Sequence, residues 1–238
     1  MINGMLEASR GSLKEVMKMD VISNNLANTT VIGFKKDTIS FKDALNQAGS
    51  AGPEGSSSMV IIKSDMQQGD FKSTGNLLDF AINGKGFFKV DTPDGVRYTR
   101  KGNFTLNTNG EIITQGGHTV MGKGGTIVIN GSNAVVDNLG VVTVDGSQVG
   151  QIDLVDFKDY GSLVKDGRAL FKNVGDNQGF TPLETAIKQG YVENSNVNVA
   201  EQMVSMIHSL RAFESYQKSM QVLDGIDGKA VNEVGRLR

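Results

Sequence analysis

The apolar and polar positions of the chain follow three successive patterns. Near the N-terminus, Ile2, Leu6, Ser9, Leu13 and Val16 step by four and three residues, and the stripe drifts on through Met19, Ile22 and Leu26. That period, with charge on the remaining positions, predicts one amphipathic helix, about 40 Å long at 1.5 Å per residue. Asn24, Asn25, Asn28 and then Gly33 end it, because Asn and Gly tolerate the left-handed conformation of a helix C-terminal cap. Gln47–Ser58 reads QAGSAGPEGSSS, the composition of a flexible linker.

The middle of the chain changes to strand patterning. Phe87–Val90 and Val96–Thr99 flank Thr92-Pro93-Asp94-Gly95, and Phe104–Leu106 and Glu111–Thr114 flank Asn109-Gly110. Both insertions are turn signals, the Asn-Gly pair being the stronger hairpin signal. Further β-branched runs at Thr126–Ile129, Val135–Val136, Val141–Val144 and Ile152–Val155 predict an all-β domain. The end returns to helix. Val199, Met203, Met206, Leu210, Phe213, Gln217 and Met220 form a heptad seam, with Glu201, Arg211, Glu214 and Lys218 off it. Asn198 is the expected N-cap and Glu201 the acid of a capping box, and fraying is expected near Gly225 and Gly228.

This order predicts an α+β protein. Its N- and C-terminal amphipathic helices pair as a coiled-coil domain, with a central all-β domain between them. The expected boundaries are 1–35 for the first helix and its turn, 36–75 for an extended linker, 76–190 for the β domain and 191–238 for the last helix. A helix whose apolar stripe finds no intrachain core must bury it elsewhere, so the ends are expected to pair with each other and with neighbouring copies. The residues expected at that assembly interface are Ile2, Leu6, Leu13, Val16, Ile22, Leu26, Val199, Met203, Met206, Leu210, Phe213 and Met220.

Composition narrows the chemistry. A net charge of −2 over 238 residues argues against a nucleic-acid partner. No run approaches the roughly 20 apolar residues that span a bilayer, so no membrane insertion is expected. Charges scattered from Glu7 to Asp20 break any apolar stretch of a cleaved secretion signal. The absence of cysteine removes disulfides, thiolate metal sites and thiol nucleophiles. Gly117–Gly124 approximates a phosphate loop but ends in Gly124 instead of Ser or Thr and precedes a strand. Asn83–Phe88 lacks the third glycine of a dinucleotide fingerprint. Asp153, Asp156 and Asp159 alternate with apolar residues and read as solvent-side positions. His118 falls in a turn and His208 on a helix surface, and no nucleophile elbow is present. No catalytic residue, cofactor or metal is expected.

Four segments carry a resemblance to a known family. SNNLANTTVIGFKK (Ser23–Lys36) resembles the N-terminal signature of the bacterial flagellar rod/hook axial proteins, including Asn24, Asn25, Leu26, Ala27, Asn28, Gly33 and Phe34. LDFAINGKGFF (Leu78–Phe88) and YTRKGNFTLNTNGEIITQGGHTVMG (Tyr98–Gly122) are similar to its β-domain motifs. GYVENSNVNVAEQMVSMIHSLRAFE (Gly190–Glu214) is similar to its C-terminal motif, in which Ser195, Asn196, Val197 and Asn198 open the helix. Val31 stands where the family usually has Thr, leaving Thr29 and Thr30 as the nearby hydroxyls. Length and the ending DGKAVNEVGRLR are closest to the proximal rod branch, with the distal rod branch as the alternative.

The resemblance implies a non-enzymatic subunit that stacks helically into the drive shaft between inner membrane and hook. It also implies export by the flagellar type III apparatus without a cleaved signal, a place in the periplasmic basal body, and other copies and neighbouring rod or hook proteins as partners. The alternative from another class is a secreted, cell-wall-associated glycan-binding module. Such a module is expected to carry aromatic platforms, and this chain has no tryptophan and 6% aromatic residues.

Overall fold

A computed structural model describes residues 2–43, 58–131, 133–167, 169–175 and 177–235. The expected linker at Gln47–Ser58 therefore lies outside the described residues apart from Ser58, which opens a strand. The ends of the chain are helices, α1 (Ile2–Ala27) and α2 (Val199–Gly235). Between them come β1 (Asp37–Asp43), β2 (Ser58–Ser64), β3 (Phe71–Ser73), β4 (Phe80–Asn83), β5 (Phe87–Thr92) and β6 (Gly95–Thr99). Then follow β7 (Phe104–Leu106), β8 (Ile112–Thr114), β9 (Thr119–Gly122), β10 (Gly125–Thr126), β11 (Ala134–Val136) and β12 (Val141–Val144). The series closes with β13 (Ser147–Gln151), β14 (Leu154–Val155), β15 (Leu163–Lys165), β16 (Leu170–Asn173), β17 (Ala186–Gln189) and β18 (Tyr191–Glu193). The fold is α+β, with a helix at each end and a β domain between.

The chain divides into two compact units, the first made of Met1–Ala27, Asp37–Ile62 and Asn198–Arg238 and the second of Asn28–Lys36 and Lys63–Val197. In the first, α1 and α2 pack antiparallel. A Cβ on Gly4 would lie 3.6 Å from Leu223 Cδ1, one on Gly11 would enter the Tyr216 ring, and Asn25 Nδ2 donates to Gln202 Oε1 at 3.2 Å. Each step of seven or fourteen along α1 is matched by the same step back along α2, a heptad register. The seam is small and polar. Ala8, Ser12, Glu15, Ile22 and Asn25 are buried on α1, and Gln202 and Ser209 on α2. Small residues let the backbones approach, so the buried seam shares Ile22 with the large apolar stripe read in the sequence but otherwise runs beside it. Leu6 and Leu13 stand 46% and 56% exposed, Met203 and Leu210 54% and 46%.

Two further differences from the sequence reading concern element limits. The segment 36–75, expected as a linker, contains β1, β2 and β3, and β1 pairs with β2. Its strand signal, Ile39 and Phe41 alternating with Ser40 and Lys42, is too short to stand out. On β1, Phe41 receives the ammonium groups of Lys14 and Lys18 from α1, 5.4 and 6.0 Å from its ring centre. At the other end, α2 continues through Gly225 and Gly228 to Gly235. Each exposed glycine costs a helix only about 1 kcal/mol, which a long helix tolerates.

The second unit is β-rich, with all named strand pairs antiparallel. Its largest sheet has the order β15-β16-β6-β5-β9-β8-β7, with β10 on β9 and β14 on β5. Smaller ladders join β11-β12-β13, β17 to β4 and β18 to β3. Successive strand side chains point to opposite faces, so the adjacent Phe87 and Phe88 of β5 serve two cores. Phe88 packs with Phe80, Ile82, Phe104, Ile112 and Val142, whereas Phe87 packs with Phe157, Leu163 and Phe171. The expected Asn109-Gly110 turn joins β7 to β8, with Asn107 Oδ1 accepting from the N–H groups of Asn109 and Glu111. Asp156, read as a solvent-side position, is instead buried. Its carboxylate accepts from Tyr160 Oη at 2.7 Å and its backbone pairs with Phe180.

Candidate functional site

Within the β unit, residues 28–36 form a loop that is fixed by side chains distant in sequence. The loop turns on backbone bonds, Val31 N–H to Asn28 C=O and Phe34 N–H to Val31 C=O, so the turn closes without a hydroxyl at position 31. Gly33 is required on two counts. Its φ is +68°, and a Cβ there would lie 2.5 Å from the Arg100 carbonyl carbon and the Lys101 nitrogen. Phe34 is 1% exposed, and the Lys165 ammonium sits 4.0 Å from its ring centre while donating to Lys35 C=O.

The C-terminal motif closes over the same loop. Asn196 Oδ1 accepts from Lys36 N–H at 2.7 Å, and Asn196 Nδ2 donates to the carbonyls of Asp65 and Gln67. Gly33 N–H donates to Glu193 C=O at 2.7 Å. The two segments, about 160 residues apart, are thus tied through both backbone and side chain. Val197 is buried, and Ser195 Oγ accepts from Val197 N–H.

Beneath the loop lies a buried ionic triad. Glu193, with no exposed surface, accepts from Lys35 Nζ at 2.6 Å, Arg100 Nη1 at 3.2 Å and Gly69 N–H at 3.0 Å. Lys35 Nζ also donates to Gln67 C=O, and Arg100 reaches the carbonyls of Ile82 and Gly84. Burial holds the Lys35 ammonium below the usual lysine range, opposed by the Glu193 carboxylate and reinforced by Arg100. Two cations and one anion are held together out of water. Lys35 lies in the signature segment Ser23–Lys36 and Arg100 and Glu193 in the β-domain and C-terminal motifs, but no local pattern marks any of the three as a site. The available signal was a lone Glu between Val192 and the polar run that follows.

In the helical unit, Asn25 is the motif residue at the centre. It is 1% exposed, its Oδ1 accepts from Asp37 N–H, and its Nδ2 donates to Asp37 C=O and Gln202 Oε1. Asn198 caps α2, its Oδ1 accepting from Glu201 N–H at 3.2 Å. Asn28 is buried, Leu26 half-buried, and Asn24 and Ala27 exposed.

The expected interface residues divide by environment. Ile22 is buried, while Val16, Leu26, Met206, Phe213 and Met220 are half-buried. Leu6, Leu13, Val199, Met203 and Leu210 are exposed, joined by Val204 and Ile207, which the sequence reading passed over. The side chain of Ile2 lies outside the described residues. Among the described residues, no three His, Cys, Asp or Glu side chains gather as a metal site, and no helix is long and apolar enough to cross a membrane. The arrangement holds two ends of a chain together and leaves apolar helix surface uncovered.

Two family models match the middle and the C-terminal part of the chain. Residues 188–233 match the family described as flagellar basal body rod FlgEFG protein C-terminal, and residues 81–151 match the flagellar hook protein FlgE/F/G D1 domain. The flagellar basal-body rod protein FlgG of Bacillus subtilis is 33% identical, over 98% of this chain and 99% of its own length. FlgG of Buchnera aphidicola subsp. Schizaphis graminum is 33% identical, over 94% and 96%. FlgF of Caulobacter vibrioides, also a basal-body rod protein, is 34% identical, over 92% and 93%. Near-complete coverage at this identity places the chain in the flagellar basal-body rod protein family.

Proposed function

We propose that the chain is a structural subunit of the flagellar basal-body rod. It assembles helically with its own copies and with neighbouring rod and hook proteins into the shaft that carries torque to the hook. The observation that supports this most directly is the unused apolar surface of the terminal helices. Leu6 and Leu13 on α1, and Met203, Ile207 and Leu210 on α2, stay exposed although each helix already has an intrachain seam. Burying the exposed half of each such side chain contributes about 1 kcal/mol, and a helical polymer repeats that gain at every subunit. In this reading the antiparallel pair belongs to an inner coiled-coil domain, completed by the same helices of neighbours. The buried triad and the Asn196 clamp give the signature loop one fixed shape. Export through the flagellar apparatus without a cleaved leader, and a periplasmic place in the basal body, go with this reading.

The test exploits the exposure of Leu210. A carboxylate there remains solvated in the free chain but is forced into an apolar contact on assembly. Leu210→Asp is expected to leave helical content and the thermal transition of the full chain unchanged while abolishing motility in a complementation assay. The exposed Lys218→Ala is expected to have little effect. Normal swimming by Leu210→Asp would refute the assembly role of this face.

A further inference from the structure

We infer that a cavity on the β unit receives the Leu183–Glu184 segment of a second copy of this chain. The cavity, about 410 Å³, is bounded by the signature loop, the connection from β6 to β7, the β8–β9 turn and the start of β16. Val31, Ile32 and Leu170 supply apolar wall, and Lys101 and His118 supply groups that favour a carboxylate. Asn103 also lines it, and its Oδ1 is closed off from solvent without a hydrogen-bond partner. That atom is sealed beneath the wall, so the cavity offers an occupant apolar surface and cationic groups. The two features together describe an apolar side chain with an adjacent carboxylate.

The chain displays such a pair itself. Leu183 is 99% exposed, more than any other large apolar residue described, and Glu184 beside it is also exposed. Among the described residues, neither Glu184 nor Lys101 takes part in an ion pair. A leucine displayed in water costs solubility with no return in the monomer, and opposite charges flank knob and hole. Because knob and hole are different surfaces of one chain, the contact is head-to-tail. Each copy gives Leu183 to one neighbour and its cavity to another, so the contact repeats from copy to copy and builds an open helix where its rotation does not close a ring. This inference rests on the rod-subunit reading and adds to it a contact carried by the β unit.

The cysteine-free sequence makes cross-linking a clean test. Full-length chain carrying Leu183→Cys and Gly116→Cys, the latter on the cavity rim, is expressed in cells lacking the native copy, and isolated basal bodies are oxidised. Disulfide-linked dimers and longer ladders are expected for the pair and for neither single variant. In parallel, Glu184→Lys and Lys101→Glu are each expected to reduce swimming several-fold, with recovery when both are combined. Swimming cells without the cross-link, or a double exchange without recovery, would overturn the proposal. So would a link within one chain, a ladder from Leu183→Cys alone, or a band joining a different axial protein. Unmodified chain that fails to restore motility would instead remove the rod-subunit reading itself.

Discussion

Glu193→Gln separates a triad that is merely buried from one that is balanced by a single anion. The substitution keeps the volume and an oxygen for Gly69 N–H, but removes the charge shared by Lys35 and Arg100, which are 1% and 4% exposed. Breaking a buried ion pair from one side costs about 3–5 kcal/mol, because the remaining charge keeps its desolvation penalty and loses its partner. Here two cations are left. Lys35→Met is the opposite perturbation. It leaves the Arg100–Glu193 pair and the Gly69 bond, removes the repulsion between the two cations, and forfeits the bonds to Glu193 and to Gln67 C=O. A net loss of about 1–2 kcal/mol is expected, since relief of burial offsets part of the lost hydrogen bonding. Urea unfolding of the full chain, followed through the near-ultraviolet signal of its tyrosines, reads the difference. With a slope of about 2 kcal/mol per molar urea, Glu193→Gln should lower the midpoint by roughly 1.5–2.5 M and Lys35→Met by less than about 1 M. Equal losses, or a larger loss for Lys35→Met, would refute the charge accounting.

Two other expectations concern packing and pH. Gly11→Ala places a methyl group in the Tyr216 ring, so helix pairing should weaken by about 1–3 kcal/mol despite a gain in intrinsic helix propensity. Adding Tyr216→Ala should recover part of that loss in helical melting, and additivity of the two changes would argue against the contact. The Tyr160 phenol is pushed up to about 12 by burial and by its bond to Asp156. The unfolded chain loses that proton near pH 10 and the folded chain holds it longer, so stability is intact below pH 10 and falls between about 10 and 12. Tyr160→Phe should flatten that slope in denaturation measured across this window, leaving a remainder from Tyr98, whose phenol is also raised by burial.

Local signals in the sequence were sufficient where the physics is local. α1 ends at Ala27 beside the Asn cluster, Asn198 caps α2, and the Asn109-Gly110 and Pro93-Asp94-Gly95 turns join the strands they were expected to join. β17, β18 and β3 were missed because each is three or four residues long and is held by a partner far along the chain. The β18–β3 pairing, for example, joins Glu193 to Phe71. The triad was hidden for the same reason. Lys35, Arg100 and Glu193 are ordinary surface residue types, and only the tertiary fold removes water from all three. Asp156 shows the converse error. Alternation put it on the solvent side of a strand, but the strand there is two residues long and the chain turns before alternation can hold.

The helix pair shows why hydrophobic periodicity alone does not say which face makes the intrachain contact. On α1, Gly4, Ala8, Gly11, Glu15, Ile22 and Asn25 keep heptad spacing just as Leu6 and Leu13 do, so period alone cannot choose between the two faces. Hydrophobicity chooses the leucines, since apolar area is the usual measure of what gets buried. Close packing chooses the glycines and alanine, since a helix can lie against Tyr216 only where no side chain intervenes. In a free-standing protein the two criteria normally agree. On the proposed assembly role they part because a monomer that closed on its leucines would have little apolar helical surface left for its neighbours. A small, polar intrachain seam beside an exposed leucine stripe is therefore the pattern to seek in terminal helices of other assembling chains, with residue size deciding which face stays at home.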